Sequence, residues 1–127
     1  MWTPQEAKER IANRSLLADS VFDDLDSEAY LDARDHSGSF DADWARAFKA
    51  VEAAWKEWPD RTQHKAALDA AREAAFKRTF AASHGDHDLA AAVSDDFEII
   101  CKRALLGVES PFITGLAEAY DSQRLPQ

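Results

Sequence analysis

His84, Asp86, His87 and Asp88, set around Gly85, place two imidazoles and two carboxylates in one short run. Those are donor groups that a zinc or related ion takes. A complete site needs a further ligand, which His64 or His36 would have to supply from elsewhere in the chain. The helical zinc pattern His-Glu-x-x-His puts its histidines four apart on one face. Here they lie three apart across a glycine. A loop with aspartate caps and solvated histidines accounts for the same residues. The run supports one reading of the chain, a metal-dependent helical-bundle enzyme. No cofactor is expected from any other motif.

A calcium loop fails on spacing. Counted from Asp32, the alternate positions that need oxygen ligands hold Arg34 and His36, and Gly38 falls one place late. Polar residues on otherwise apolar helix faces form a third group: Arg14, His64, Arg72, Asp96 and Arg103. Buried charges must pair or neutralise. Together these five would make a polar pocket. Separately, the arginines reach the rim of their stripes and Asp96 pairs with Arg103 or Arg14. Cys101 has no histidine near it in sequence and reads as a packing residue. A phosphate-binding glycine loop, a Gly-x-Ser-x-Gly elbow and a Cys-x-x-Cys pair are all missing.

Carboxylates are the chemistry the chain does concentrate. Its net charge is −9. Nine acids stand between Asp19 and Asp43 against one base, Arg34, and the rest of the chain sums to only −1. Such a field repels nucleic acid and anionic lipid and attracts basic partners. Basic residues from Arg46 to Arg78 are interleaved with acids, which is a poor footprint for nucleic acid. Some of the acids lie where helices begin, Asp41 and Asp43 especially, and serve as caps. The subset left for docking is Asp23, Asp24, Asp26, Glu28, Asp32 and Asp35, around Tyr30.

Helices must hold these groups. The 127 residues are 46% hydrophobic with four glycines and four prolines, and suit one domain, 1–127. Thr3-Pro4-Gln5-Glu6 is a capping box with proline at the first helical position. The stripe Ala7, Ile11, Ala18, Val21, Phe22 and Leu25 predicts one long first helix. Ser27 to Asp35 predicts a short helix, and His36 to Ser39 a loop. Phe40, Trp44, Ala47, Phe48, Val51, Ala54, Trp55 and Trp58 fall on one arc, ended by Pro59. Trp44, Trp55 and Trp58 therefore read as core. Asp60 with Gln63 predicts a second capping box, opening a helix to Ala82. Asp86 or Asp88 opens the next, which Gly107 ends. Ser110-Pro111 opens the last. Residues 123–127 are expected to fray.

The fold expected is all-α, a bundle of five or six mostly antiparallel helices around the tryptophan-rich helix 40–58. One cysteine, no membrane-length apolar run and no leader pattern point to a cytoplasmic protein. The function expected is a small acidic, non-enzymatic module that binds a basic partner protein and could inhibit it. Toxin-neutralising and enzyme-inhibiting proteins, immunity proteins among them, offer the analogy in size and charge. A nucleic-acid mimic, with carboxylates in place of phosphates, is a further reading of the same acids.

Overall fold

A computed structural model describes residues 2–127. The described residues form six α-helices: α1 (Pro4–Ala12), α2 (Ser27–His36), α3 (Phe40–Glu57), α4 (Lys65–Ala82), α5 (His87–Leu106) and α6 (Pro111–Asp121). Single 3-10 turns lie at Asp19–Phe22 and Arg61–His64. No strand is present among the described residues.

The caps are local and follow from residue type. Thr3 and Glu6 close the capping box of α1. Asp26 accepts the Ala29 N–H, Asp86 the Leu89 N–H and Ser110 the Ile113 N–H, each satisfying a donor with no partner inside its helix. Gly107 ends α5 at φ 72°, a left-handed conformation that glycine adopts without a Cβ penalty. The Asp60–Gln63 box does not form. The Asp60 side chain accepts no backbone N–H there, and a 3-10 turn precedes α4.

The first helix is shorter than its stripe. It stops at Ala12, and Arg14 turns to φ 65°, which no continuing helix allows. Asn13 causes this locally: its side-chain oxygen accepts the Ser15 N–H at 2.9 Å, a turn that competes with helix. The break sends Arg14 to solvent and drops Leu16 and Leu17 into the core, both wholly buried.

The bundle is organised around α5, not around α3. Residues on every side of α5 are buried, including Leu89, Val93, Phe97, Ile99, Ile100 and Cys101. Only Val51 of α3 is buried. Periodicity finds a helix's apolar face, but α5 is covered on several faces, and such burial leaves no single stripe. The aromatic residues of α3 lie half-buried, as a roof over the core. Trp44 stacks on Phe48 at 5.4 Å, and Trp58 on His64 at 5.1 Å. The α4–α5 contact is the most extensive in the fold. Ala71 and Ala75, fully buried on α4, permit that approach. Phe76 meets His87 while Arg72 meets Ser94 and Glu98, so the two helices run antiparallel.

The C-terminal residues are tied down rather than frayed. Leu125 and Pro126 are buried. The Gln123 side chain accepts the Ala18 N–H at 3.1 Å and donates to the Ser15 carbonyl at 2.7 Å and the Arg14 carbonyl at 3.3 Å. Trp2, packed on Phe97, donates its indole N–H to Asp121 at 2.9 Å.

Candidate functional site

Helix α2 carries the centre of the acidic segment. Its two sides differ completely. Tyr30 and Arg34, one turn apart, face inward and are 8% and 9% exposed. Glu28, Asp32 and Asp35 lie at i, i+4 and i+7 on the opposite side, all exposed.

Arg34 reaches Asp96 on α5, a carboxylate with no exposure at all. The guanidinium donates Nη2 to Oδ1 at 2.9 Å and Nη1 to Oδ2 at 3.0 Å, the paired geometry that suits arginine and carboxylate. Trp44 Nε1 of α3 donates to the same Oδ1 at 2.9 Å, and the Tyr120 hydroxyl of α6 to Oδ2 at 2.6 Å. Tyr30 donates its hydroxyl to the Pro126 carbonyl and accepts from Arg34. The guanidinium also lies 4.5 Å from the Phe40 ring centre. Asp96 thus ties α2, α3 and α6 to α5.

The titrations of this cluster follow its surroundings. Burial works against the Arg34 charge, but the Asp96 carboxylate outweighs it and the pKa is raised. Burial pushes the Tyr30 phenol up to about 12, against the pull of Arg34. Burial, then the Asp96 charge, hold Tyr120 well above the ordinary phenol range. Arg34 therefore stays charged, and Tyr30 and Tyr120 stay neutral, at neutral pH.

The expected polar pocket does not assemble. Asp96 pairs with Arg34, not with Arg103 or Arg14. Arg103 bonds Glu109 at 3.3 Å beyond the end of α5, and Arg14 is exposed. Arg72 meets Glu98 at 3.2 Å, and His64 lies on Trp58. Arg34 was missed because its partner is 62 positions away. One signal was present. Arg34 is the only base among nine acids and shares a face with Tyr30, while Asp96 sits on the apolar arc of α5. Each charge lies on the inner side of its own helix.

The loop at His84 to Asp88 does not gather ligands. His84 and His87 are both exposed, and Asp86 is occupied as the cap of α5. Among the described residues no three His, Cys, Asp or Glu side chains are placed to hold a metal ion. Cys101 is fully buried, and burial pushes its thiol up to about 12.

Of the proposed docking residues, Asp23, Asp24, Asp26, Glu28, Asp32 and Asp35 are exposed and Tyr30 lies beneath them. Asp26 is engaged as the α2 cap, and Asp32 meets His36 at 3.0 Å. Asp43, read as a cap, bonds Ser39 and Arg46 instead. The burial of Arg34 has an electrostatic result: it removes from the surface the only base in the segment. The outer side of α2 therefore shows carboxylates with a single histidine among them. No helix among the described residues is long and apolar enough to cross a membrane.

Among known families, a model described as Immunity protein PIM1 matches the chain over residues 6–127. No curated protein matches the chain.

Proposed function

The chain belongs to the immunity protein PIM1 family, and from that premise we propose that its exposed α2 face docks on a basic partner protein and inhibits it by covering it. Immunity proteins act by binding a partner protein. The observation that carries the basic partner is the inward turn of Arg34 onto Asp96, which leaves Glu28, Asp32 and Asp35 as a stripe with no lysine or arginine on it, only His36 beside Asp32. Such a stripe raises the encounter rate with an oppositely charged surface and rejects partners of like charge. The buried network under it holds α2 rigidly, so little ordering entropy is spent on binding. A cytoplasmic location accords with the one buried thiol.

The test is charge reversal of Glu28, Asp32 and Asp35 to lysine in the full chain. Each side chain is exposed, so stability should change by less than about 0.5 kcal/mol at Asp32 and Asp35, and by about 1 kcal/mol at Glu28, which lies in the first turn of α2. Association with the partner captured from the native host should slow, and its salt dependence should shrink. An unchanged association rate with unchanged salt dependence would remove the α2 face from the reading.

A further inference from the structure

Between the turn before α2 and the C-terminal end of α4 runs an open groove of about 560 Å3, within the size range of ligand clefts. Its lining combines apolar and acidic residues, with Ser27, Ser83 and His84 among them. Phe22 and Leu25 on one side and Ala81 and Ala82 on the other are apolar. Asp23 and Asp24 stand at the groove with no basic side chain paired to either among the described residues. Arg78 also lines it, but its charge is already used. Its guanidinium bonds Asp19 and, at 2.8 Å, the Leu17 carbonyl. The last turn of α4 ends here without a basic residue, so the negative end of its dipole adds to the two carboxylates.

We propose that this groove receives one long basic side chain, arginine or lysine, from the partner protein. The chemistry of the walls matches that occupant on both counts. An arginine or lysine has an apolar stem of three or four methylenes and a cationic head. The stem fits along Phe22, Leu25 and the alanines, and the head meets Asp23 and Asp24. A purely apolar side chain would leave the carboxylates unmatched, and a small cation would leave the apolar walls unfilled. The α2 stripe supplies long-range attraction, whereas the groove selects a residue and its position. The inference rests on the immunity reading with a basic partner, and adds to it a specific anchor.

The probe is Nα-acetyl-arginine amide, titrated into 15N-labelled full-length protein and followed by amide shifts. Its uncharged analogue, Nα-acetyl-citrulline amide, is the control. The expected result is saturable shifts confined to residues 19–27 and 78–84 with the arginine compound and none with the citrulline compound. Asp23→Asn with Asp24→Asn should weaken that binding about tenfold, equivalent to about 1.4 kcal/mol. The Glu28→Gln, Asp32→Asn, Asp35→Asn variant should keep it. Shifts that fail to saturate, that spread over the whole acidic surface, or that survive in the Asp23/Asp24 variant overturn the groove. That failure leaves the α2 stripe standing, because the stripe is judged by association rates with the partner itself.

Discussion

Replacing Asp96 by asparagine changes one atom type and almost no volume, yet it should be among the most damaging substitutions in the molecule. Both carboxylate oxygens are in use: Oδ1 accepts from Arg34 and Trp44, Oδ2 from Arg34 and Tyr120. Whichever oxygen becomes an amide nitrogen, one Arg34 N–H then faces another donor. The Tyr120 hydroxyl can turn to accept, but the Trp44 indole N–H cannot. Arg34 meanwhile stays charged at 9% exposure with no anion beside it. Breaking a buried pair in this way costs about 3–5 kcal/mol. Domains of this size are stable by about 5–15 kcal/mol in all. With a urea slope of about 2 kcal/mol per molar, the unfolding midpoint should fall by about 2 M. Helical circular dichroism against urea measures it. A double-mutant cycle with Arg34→Met supplies the internal check. The two losses should fall short of additivity by more than about 1 kcal/mol, because the second removes the charge the first stranded. A loss below about 1 kcal/mol for Asp96→Asn, or strict additivity in the cycle, would refute the keystone role.

Alkali should destabilise the fold through its buried thiol and phenol. Cys101 and Tyr30 are each pushed up to about 12 in the folded state, from ordinary values of 9.0 and 10.0. A raised folded pKa stabilises fully below the unfolded value and loses that contribution as pH rises through the folded one. Urea midpoints should therefore hold near neutrality and fall between about pH 9 and pH 12. For the same reason Cys101 should resist thiol reagents until urea opens the fold. Gln123→Ala should cost about 1–3 kcal/mol through the lost bonds to Ala18, Ser15 and Arg14, read as a lower urea midpoint. No change would mean that the tail is held by Leu125 and Pro126 alone.

The elements most visible in the sequence were those whose cause is local. Thr3 with Glu6, Asp86, Ser110-Pro111 and Gly107 each act within a few residues, and the helix ends they mark are where the structure has them. Left-handed positions in non-glycine residues were not visible. Arg14 and Leu17 both have positive φ, and through them the chain leaves α1 and buries Leu16 and Leu17. A hydrophobic stripe running past Ala12 gives no sign of that break. The rank of helices in the core was equally hidden. The aromatic arc of α3 is the most regular pattern in the chain, but regularity marks a helix with one wet side. Helix α5, wet on almost none, carries Asp96 and Lys102 among its apolar residues and looks less orderly for it. The acidic face was legible as composition. Its lack of surface base was not, because that depends on where Arg34 points.

The links from Trp2 to Asp121, from Gln123 to the 14–18 loop and from Tyr30 to Pro126 each join segments about a hundred positions apart. Closing loops this long is entropically costly, and the contacts that repay it come only with residues 119–126. Until then α2 rests on the Arg34–Asp96 pair without its C-terminal supports: Tyr30 lacks Pro126, and Asp96 lacks Tyr120. A chain cut after Leu116 would keep the Arg34–Asp96 pair but hold α2 less firmly, without the Tyr30–Pro126 and Tyr120–Asp96 bonds. Residues 119–126 thus take part in seating the α2 carboxylates, although they lie far from them along the chain.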